Sequence, residues 1–139
     1  MTNKTYLKQI KILNTKITYK ENQLKELESR IMQAGGANYG HDRVQSTPKH
    51  DRLADDIICM IDLKDRISAE RAEYFEKKQE IVNQIYLLED SRYIDILVKR
   101  YVEFKRWEDI ADEMHYSMDR VFQLHREALQ LITVPNVLS

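Results

Sequence analysis

Between residues 3 and 33 no Gly or Pro interrupts the chain, and Ile10, Ile17, Leu24 and Ile31 recur every seven residues. Tyr6, Leu13 and Leu27 occupy the second core position of the same heptads, with Lys20 as the one exception. Apolar side chains at a 3.5-residue spacing leave the backbone one regular option, a long amphipathic helix. Residues 51–89 repeat the pattern with Met60, Ile67, Tyr74, Ile81 and Leu88, flanked by Leu53, Ile57 and Ile85. From Arg66 to Lys78 the remaining core sites are polar, which predicts a thin, half-exposed seam. Two such helices predict an all-α arm, residues 1–89, built as a long antiparallel hairpin. The heptads of residues 3–33 also suit a parallel coil between two chains. Spacing leaves both open, and a homodimer through the long helices accommodates both.

The break between the helices spans about residues 34–50. Gly35-Gly36 is expected to end the first helix, and Gly40 and Pro48 to mark turns. Tyr39 and Val44 are apolar enough to dock the loop on a neighbour. His41-Asp42-Arg43 recurs as His50-Asp51-Arg52. No further ligand stands at a recognised metal spacing, so no metal or other cofactor is expected, and coincidence, helix capping by Asp51 and loop hydrogen bonding are the preferred readings.

Cys59, the only cysteine, sits in the run Ile57-Ile58-Cys59-Met60-Ile61 and reads as a buried small hydrophobe in a reducing compartment. The N-terminus lacks an apolar core of signal-peptide length, and no stretch approaches the ~20 apolar residues of a membrane span. A soluble cytoplasmic protein with no membrane partner is expected. Net charge is −1, unevenly spread. Residues 1–33 carry seven Lys/Arg against three Glu; residues 34–89 carry eight against eleven acidic residues; residues 90–139 carry seven against nine. The C-terminal end is therefore mildly acidic, which argues against strong DNA binding by charge alone.

That end, residues 90–139, reads as a three-helix unit. Asp90 or Ser91 caps a support helix over 92–104, with Ile94, Leu97, Val98 and Tyr101 on one face. In the next helix Trp107, Ile110, Ala111 and Met114 fall at i, i+3, i+4 and i+7. Tyr116 points inward, Ser117 caps, and Val121, Leu124, Ala128 and Ile132 line a second helix. This is a helix-turn-helix pattern, and spacing alone fits an ordinary αα-corner as well. On a 100° wheel Val121, Leu124, Ala128, Leu131 and Ile132 share one side. Asp119, Gln123, Arg126 and Gln130 face the other, with Met118 and Phe122 on its flank. Gln pairs with adenine and Arg with guanine or phosphate, and Asp119 accepts from cytosine N4 or orients an Arg. Arg120, Lys105 and Arg106 are placed to hold phosphates. Met118 and Phe122, expected to be exposed, suit thymine methyls or a protein partner. His115 and His125 read as structural.

Residues 97–132 resemble region 4 of bacterial sigma-70-type factors. The likeness rests on Trp107-x-x-Ile110-Ala111, the Ser117 cap, Asp119-Arg120-Val121, Gln123 and Ala128-Leu129. Region 4 reads the promoter −35 element and contacts RNA polymerase and activators; basic residues commonly stand there at the sites of Met118 and Phe122. The two long helices, the loop Asp42-Arg43-Val44-Gln45-Ser46-x-Pro48 and the Arg100-Tyr101 pair are similar to those of small phage and prophage proteins, the late-operon transcription regulators of the ArpU and RinA type. The resemblance implies a DNA-binding regulator of phage late or packaging genes, with double-stranded DNA and RNA polymerase as partners. The competing expectations are an adaptor that holds polymerase or a sigma factor without reading DNA, and a DNA-packaging component. No phosphate-binding Gly loop, metal-ligand cluster or nucleophile motif points to an enzyme.

Overall fold

The computed structural model describes residues 1–37 and 46–135, and every regular element among them is helical. Tyr39, Gly40, Val44 and His41-Asp42-Arg43 lie outside the described residues. Helix α1 spans Asn3–Ala37, α2 Ser46–Tyr86, α3 Ser91–Leu97, α4 Trp107–Met114 and α5 Met118–Leu131; a π-helical turn, Val98–Val102, follows α3. The fold is all-α, with a long helical hairpin preceding the helix-turn-helix.

Three expected boundaries move. Helix α1 runs through Gly35-Gly36. Helix α2 begins at Ser46, so Pro48 lies in its first turn, where a missing N–H leaves no intrahelical bond unmade. Asp51 is then interior to α2 and does not cap it. The described chain divides into two compact units, each including part of both long helices: Met1–Asn14 with Glu73–Ser139, and Thr15–Ala72.

In the unit Thr15–Ala72 the heptads pair within the chain. Ile17, Leu27 and Ile67 are buried, and the other core heptad positions of α1 are half-buried. Ion pairs join Lys20 to Glu70, Glu21 to Arg71, Glu28 to Lys64 (3.8 Å) and Arg30 to Asp56 (3.1 Å). Partner numbers fall along α2 as they rise along α1, so the seam is antiparallel. Lys20, the heptad exception, meets a carboxylate there instead of an apolar side chain. Two expectations fail in this unit. Asp56, not Ile57, faces the seam, and Ile57 is exposed. Cys59 is exposed too, because it stands one residue off the seam position of Met60.

The other unit closes a single core. Tyr6, Leu7 and Ile10 from α1 and Ile81 and Ile85 from α2 meet Ile96, Leu97, Tyr101, Ile110, Val121, Leu124 and Ala128. Each fully buried Leu or Ile contributes about 1.5–3 kcal/mol. Polar groups at the margin are satisfied. The Tyr6 hydroxyl donates to Glu80 Oε2 (2.7 Å), and Asn3 Nδ2 donates to the Leu129 carbonyl (2.6 Å), which also accepts from the Ile132 N–H at the end of α5 (3.3 Å). Asp90 caps α3, its carboxylate accepting from the Arg92 backbone N–H (2.9 Å). The support helix does not stay α-helical to residue 104. Glu103 N–H donates to the Val98 carbonyl (2.9 Å) across a widened turn, and Phe104 takes φ 59°. A side chain at positive φ costs about 1–2 kcal/mol; here the turn ends the support helix and sends the chain toward Trp107.

Candidate nucleic-acid interface

The turn between α4 and α5 is three residues long. His115 takes the left-handed conformation (φ 59°) that helix ends usually assign to Gly. Its N–H donates to the Asp112 carbonyl (3.3 Å) and the Tyr116 N–H to the Ala111 carbonyl (3.0 Å), closing the last turn of α4. Tyr116 is half-buried against the core. Ser117 Oγ then accepts from the Arg120 N–H (3.2 Å) and starts α5.

The wheel for α5 is borne out in its main axis. Val121, Leu124 and Ala128 are fully buried, joined by His125, while Asp119, Gln123, Arg126 and Gln130 are all exposed. Leu131, expected inside, is 56% exposed, because it is the last residue of the helix and Ile132 closes the core instead. Met118 and Phe122 are half-buried rather than exposed. Met118 packs against the core, and Phe122 lies edge-on to Trp107 with ring centroids 5.4 Å apart.

Behind this face sits an aromatic cluster. The Tyr101 hydroxyl and His125 Nε2 share a 2.6 Å hydrogen bond, Trp107 meets the His125 ring edge-on at 4.6 Å, and the Arg100 guanidinium lies 4.5 Å above Trp107. Arg100 also donates to the Lys105 carbonyl (2.9 Å), bracing the π-turn exit. Burial, with help from the charges of Lys4, Arg100 and Arg126, pushes the His125 imidazole down to about 4, and burial pushes Tyr101 up to about 12. Both are neutral near pH 7. His125 is therefore a structural residue of the buried side, as its place on the wheel indicates.

The cations beside the face are already engaged. Lys105 bonds Glu113 (2.7 Å) and Glu103 (3.2 Å), and Lys99 bonds the same Glu113 (3.0 Å). The Lys105 and Lys99 ammoniums hold the Glu113 carboxyl below its usual range. Arg106 pairs with Asp109 (3.3 Å) and lies 3.9 Å from Glu108. Arg120 donates to Gln123 Oε1 (3.0 Å), Gln123 Nε2 donates to Glu127 Oε1 (3.3 Å), and Tyr93 donates to the other Glu127 oxygen (2.7 Å). Gln123 therefore carries one bond at each end of its amide and keeps a second lone pair and a second hydrogen for a ligand.

Sequence reasoning placed Lys105, Arg106 and Arg120 but missed Glu113, Glu127 and Tyr93, which restrain them or their neighbours. The Gln123–Glu127 and Arg106–Asp109 contacts sit at helical i+4 and i+3 spacings and were legible. The Lys105–Glu113 contact joins the connector before α4 to the far end of that helix and carries no sequence signal. Among the described residues no group of three or more His, Cys, Asp or Glu is placed to hold a metal ion, and no helix is long and apolar enough to cross a membrane.

A family model described as a protein of unknown function, DUF1492, matches residues 34–133, more than half of the chain. The chain belongs to the DUF1492 family. The match runs from the end of α1 to the end of α5, so the family's pattern includes α2, the support helix and the whole helix-turn-helix. Neither the curated proteins nor the solved structures contain a match to the chain.

Proposed function

We propose that this DUF1492 member is a DNA-binding transcription regulator of phage late or packaging genes, with α5 entering the major groove of double-stranded DNA. One observation carries the reading. The row Asp119, Gln123, Arg126 and Gln130 is exposed opposite a fully buried row, on a helix fixed by a three-residue turn. A recognition helix needs that rigid presentation of amide and guanidinium groups. The sigma region 4 likeness of residues 97–132 and the ArpU/RinA-type likeness of the chain support the genomic setting. The regulator then works in the host cytoplasm, on the nucleoid when bound, with RNA polymerase as a second partner.

Each bidentate base contact is worth about 1–3 kcal/mol. Replacing Gln123 and Arg126 together by Ala should therefore cost about 100-fold or more in affinity for a footprinted site and leave the circular dichroism unchanged. Undiminished binding by that double variant sinks the assignment. Affinity should also fall as salt rises.

A second reading is favoured by the ion pairs. Lys105 and Arg106, the cations suited to phosphate, are held by Glu113 and Asp109, and a phosphate must displace those carboxylates. An adaptor that grips RNA polymerase or a sigma factor without reading DNA has no such obstacle. No duplex retained at low salt, together with direct binding of purified polymerase, selects the adaptor.

A further inference from the structure

Helix α2 carries a second apolar stripe that the seam with α1 does not use. In the unit Thr15–Ala72, Ile58 is 64% exposed and Ile61 54% exposed, with Ile57 beside them at 37%. At about 100° per residue, Ile58 and Ile61 point away from the seam residues Met60, Leu63 and Ile67. The stripe has its own heptad register. Ile58, Asp65 and Ala72 stand at one core position, Ala54, Ile61 and Ser68 at the other, and all six are exposed. Ala54, Ser68 and Ala72 are small enough for another helix backbone to come close.

The flanks of this stripe differ in sign. One carries Asp55 and Asp62, the other Lys64 and Arg71, all exposed. Within the chain Asp62 bonds Arg66, Lys64 reaches Glu28 only at 3.8 Å, and Arg71 meets Glu21. In a parallel pair of identical helices each flank faces the opposite flank of its mate, so acid meets base. In an antiparallel pair each flank faces its own kind.

We infer that the outer face of α2 around Ile58 and Ile61 binds a second copy of this chain, with the two α2 helices parallel and in register. Ile58 packs on Ile58 and Ile61 on Ile61, and the basic flank of each copy runs along the acidic flank of the other. The heptads of α1, consumed by the internal seam, are left out of the contact. Asp65 is the weak layer, because the two-fold brings both carboxylates together in the interface. This contact makes no use of the helix-turn-helix, and it stands or falls apart from the DNA-reading proposal.

The test is sedimentation equilibrium of the full chain over a wide concentration range. A reversible dimer is expected. Ile58→Glu with Ile61→Glu should weaken it about 100-fold or more with unchanged helicity, and Asp65→Leu should tighten it about tenfold, since each acts on a core layer of the pair. With Cys59→Ser in the background, Ile61→Cys should cross-link two chains under mild oxidation, because a two-fold parallel register sets residue 61 against itself. A chain that stays monomeric throughout, with or without Asp65→Leu, overturns the inference. So does a dimer that the paired Glu variant leaves intact, or cross-linking that requires Ile58→Cys and Ile61→Cys together, which marks an antiparallel register.

Discussion

The two units of the chain hold together by different means. In the unit that carries the helix-turn-helix, five helices and a π-turn converge on one core, and ten of its side chains are fully buried there. In the unit Thr15–Ala72, two helices share a single seam in which Ile17, Leu27 and Ile67 are buried, Leu24, Ile31 and Leu63 are half-buried, and Lys20 pairs with Glu70. Both draw on the same two heptad helices, α1 and α2. The contrast shows that heptad spacing specifies an inward face, whereas the depth of burial depends on how many elements meet that face. A core reached from several directions removes far more apolar area from water than a two-helix seam. The seam unit is also the one that leaves three isoleucines uncovered on one helix.

The largest expected effect separates the units by core truncation. Leu124→Ala or Ile110→Ala, at fully buried sites, should cost about 2–5 kcal/mol. Leu27→Ala, in the two-helix seam, should cost about half as much, since its surroundings are partly solvated and collapse more easily. Urea denaturation by circular dichroism measures both. Equal losses would show that the seam is as well packed as the core.

Acid should discriminate next. Folded His125 stays neutral down to about pH 4, whereas in the unfolded chain it takes up a proton below its ordinary value of 6.5. Its contribution is complete above 6.5 and is lost as pH falls toward 4, roughly 3 kcal/mol over the window. Trp107, the only tryptophan, touches the His125 ring and reports this unit. Denaturant midpoints followed by Trp107 fluorescence should drop between pH 6.5 and 4, and His125→Gln should flatten that drop. A profile unchanged by His125→Gln would assign the acid loss elsewhere.

Smaller effects test local devices. Ser117→Ala removes the cap of α5 and should cost about 1 kcal/mol, seen as a lower thermal midpoint. In the seam, the half-exposed pair Lys20–Glu70 should be worth less than ~1 kcal/mol and screened by salt. Replacing both partners by Leu should be neutral or stabilising, because a well-packed apolar pair avoids the desolvation of two charges. Destabilisation by the double Leu variant would show that the charges hold the register.

Much of this was legible in the chain. The heptads at Ile10, Ile17 and Leu24 located the inward face of α1, and the wheel of α5 located the row Asp119, Gln123, Arg126 and Gln130. The Ser117 cap and the inward Tyr116 were legible for the same reason. Periodicity is a local property, and one residue's rotation relative to its neighbours follows from backbone geometry. The sequence could not say where a helix yields to long-range packing. It pointed to an ordinary helix through residue 104, where the chain makes a π-turn, and to a buried Cys59, which one step around α2 leaves in solvent.

What the sequence by itself determined was an all-helical chain, the faces its helices turn inward, and the polar row that α5 turns outward. Only the tertiary structure decided the neighbours. It set the heptads of α1 against α2 of the same chain, laid Phe122 against Trp107, and gave Lys105 to Glu113. Facing is encoded by spacing along one helix. Partnership between helices is selected by where the chain folds back, and Lys20 in α1 carries no mark of Glu70 in α2.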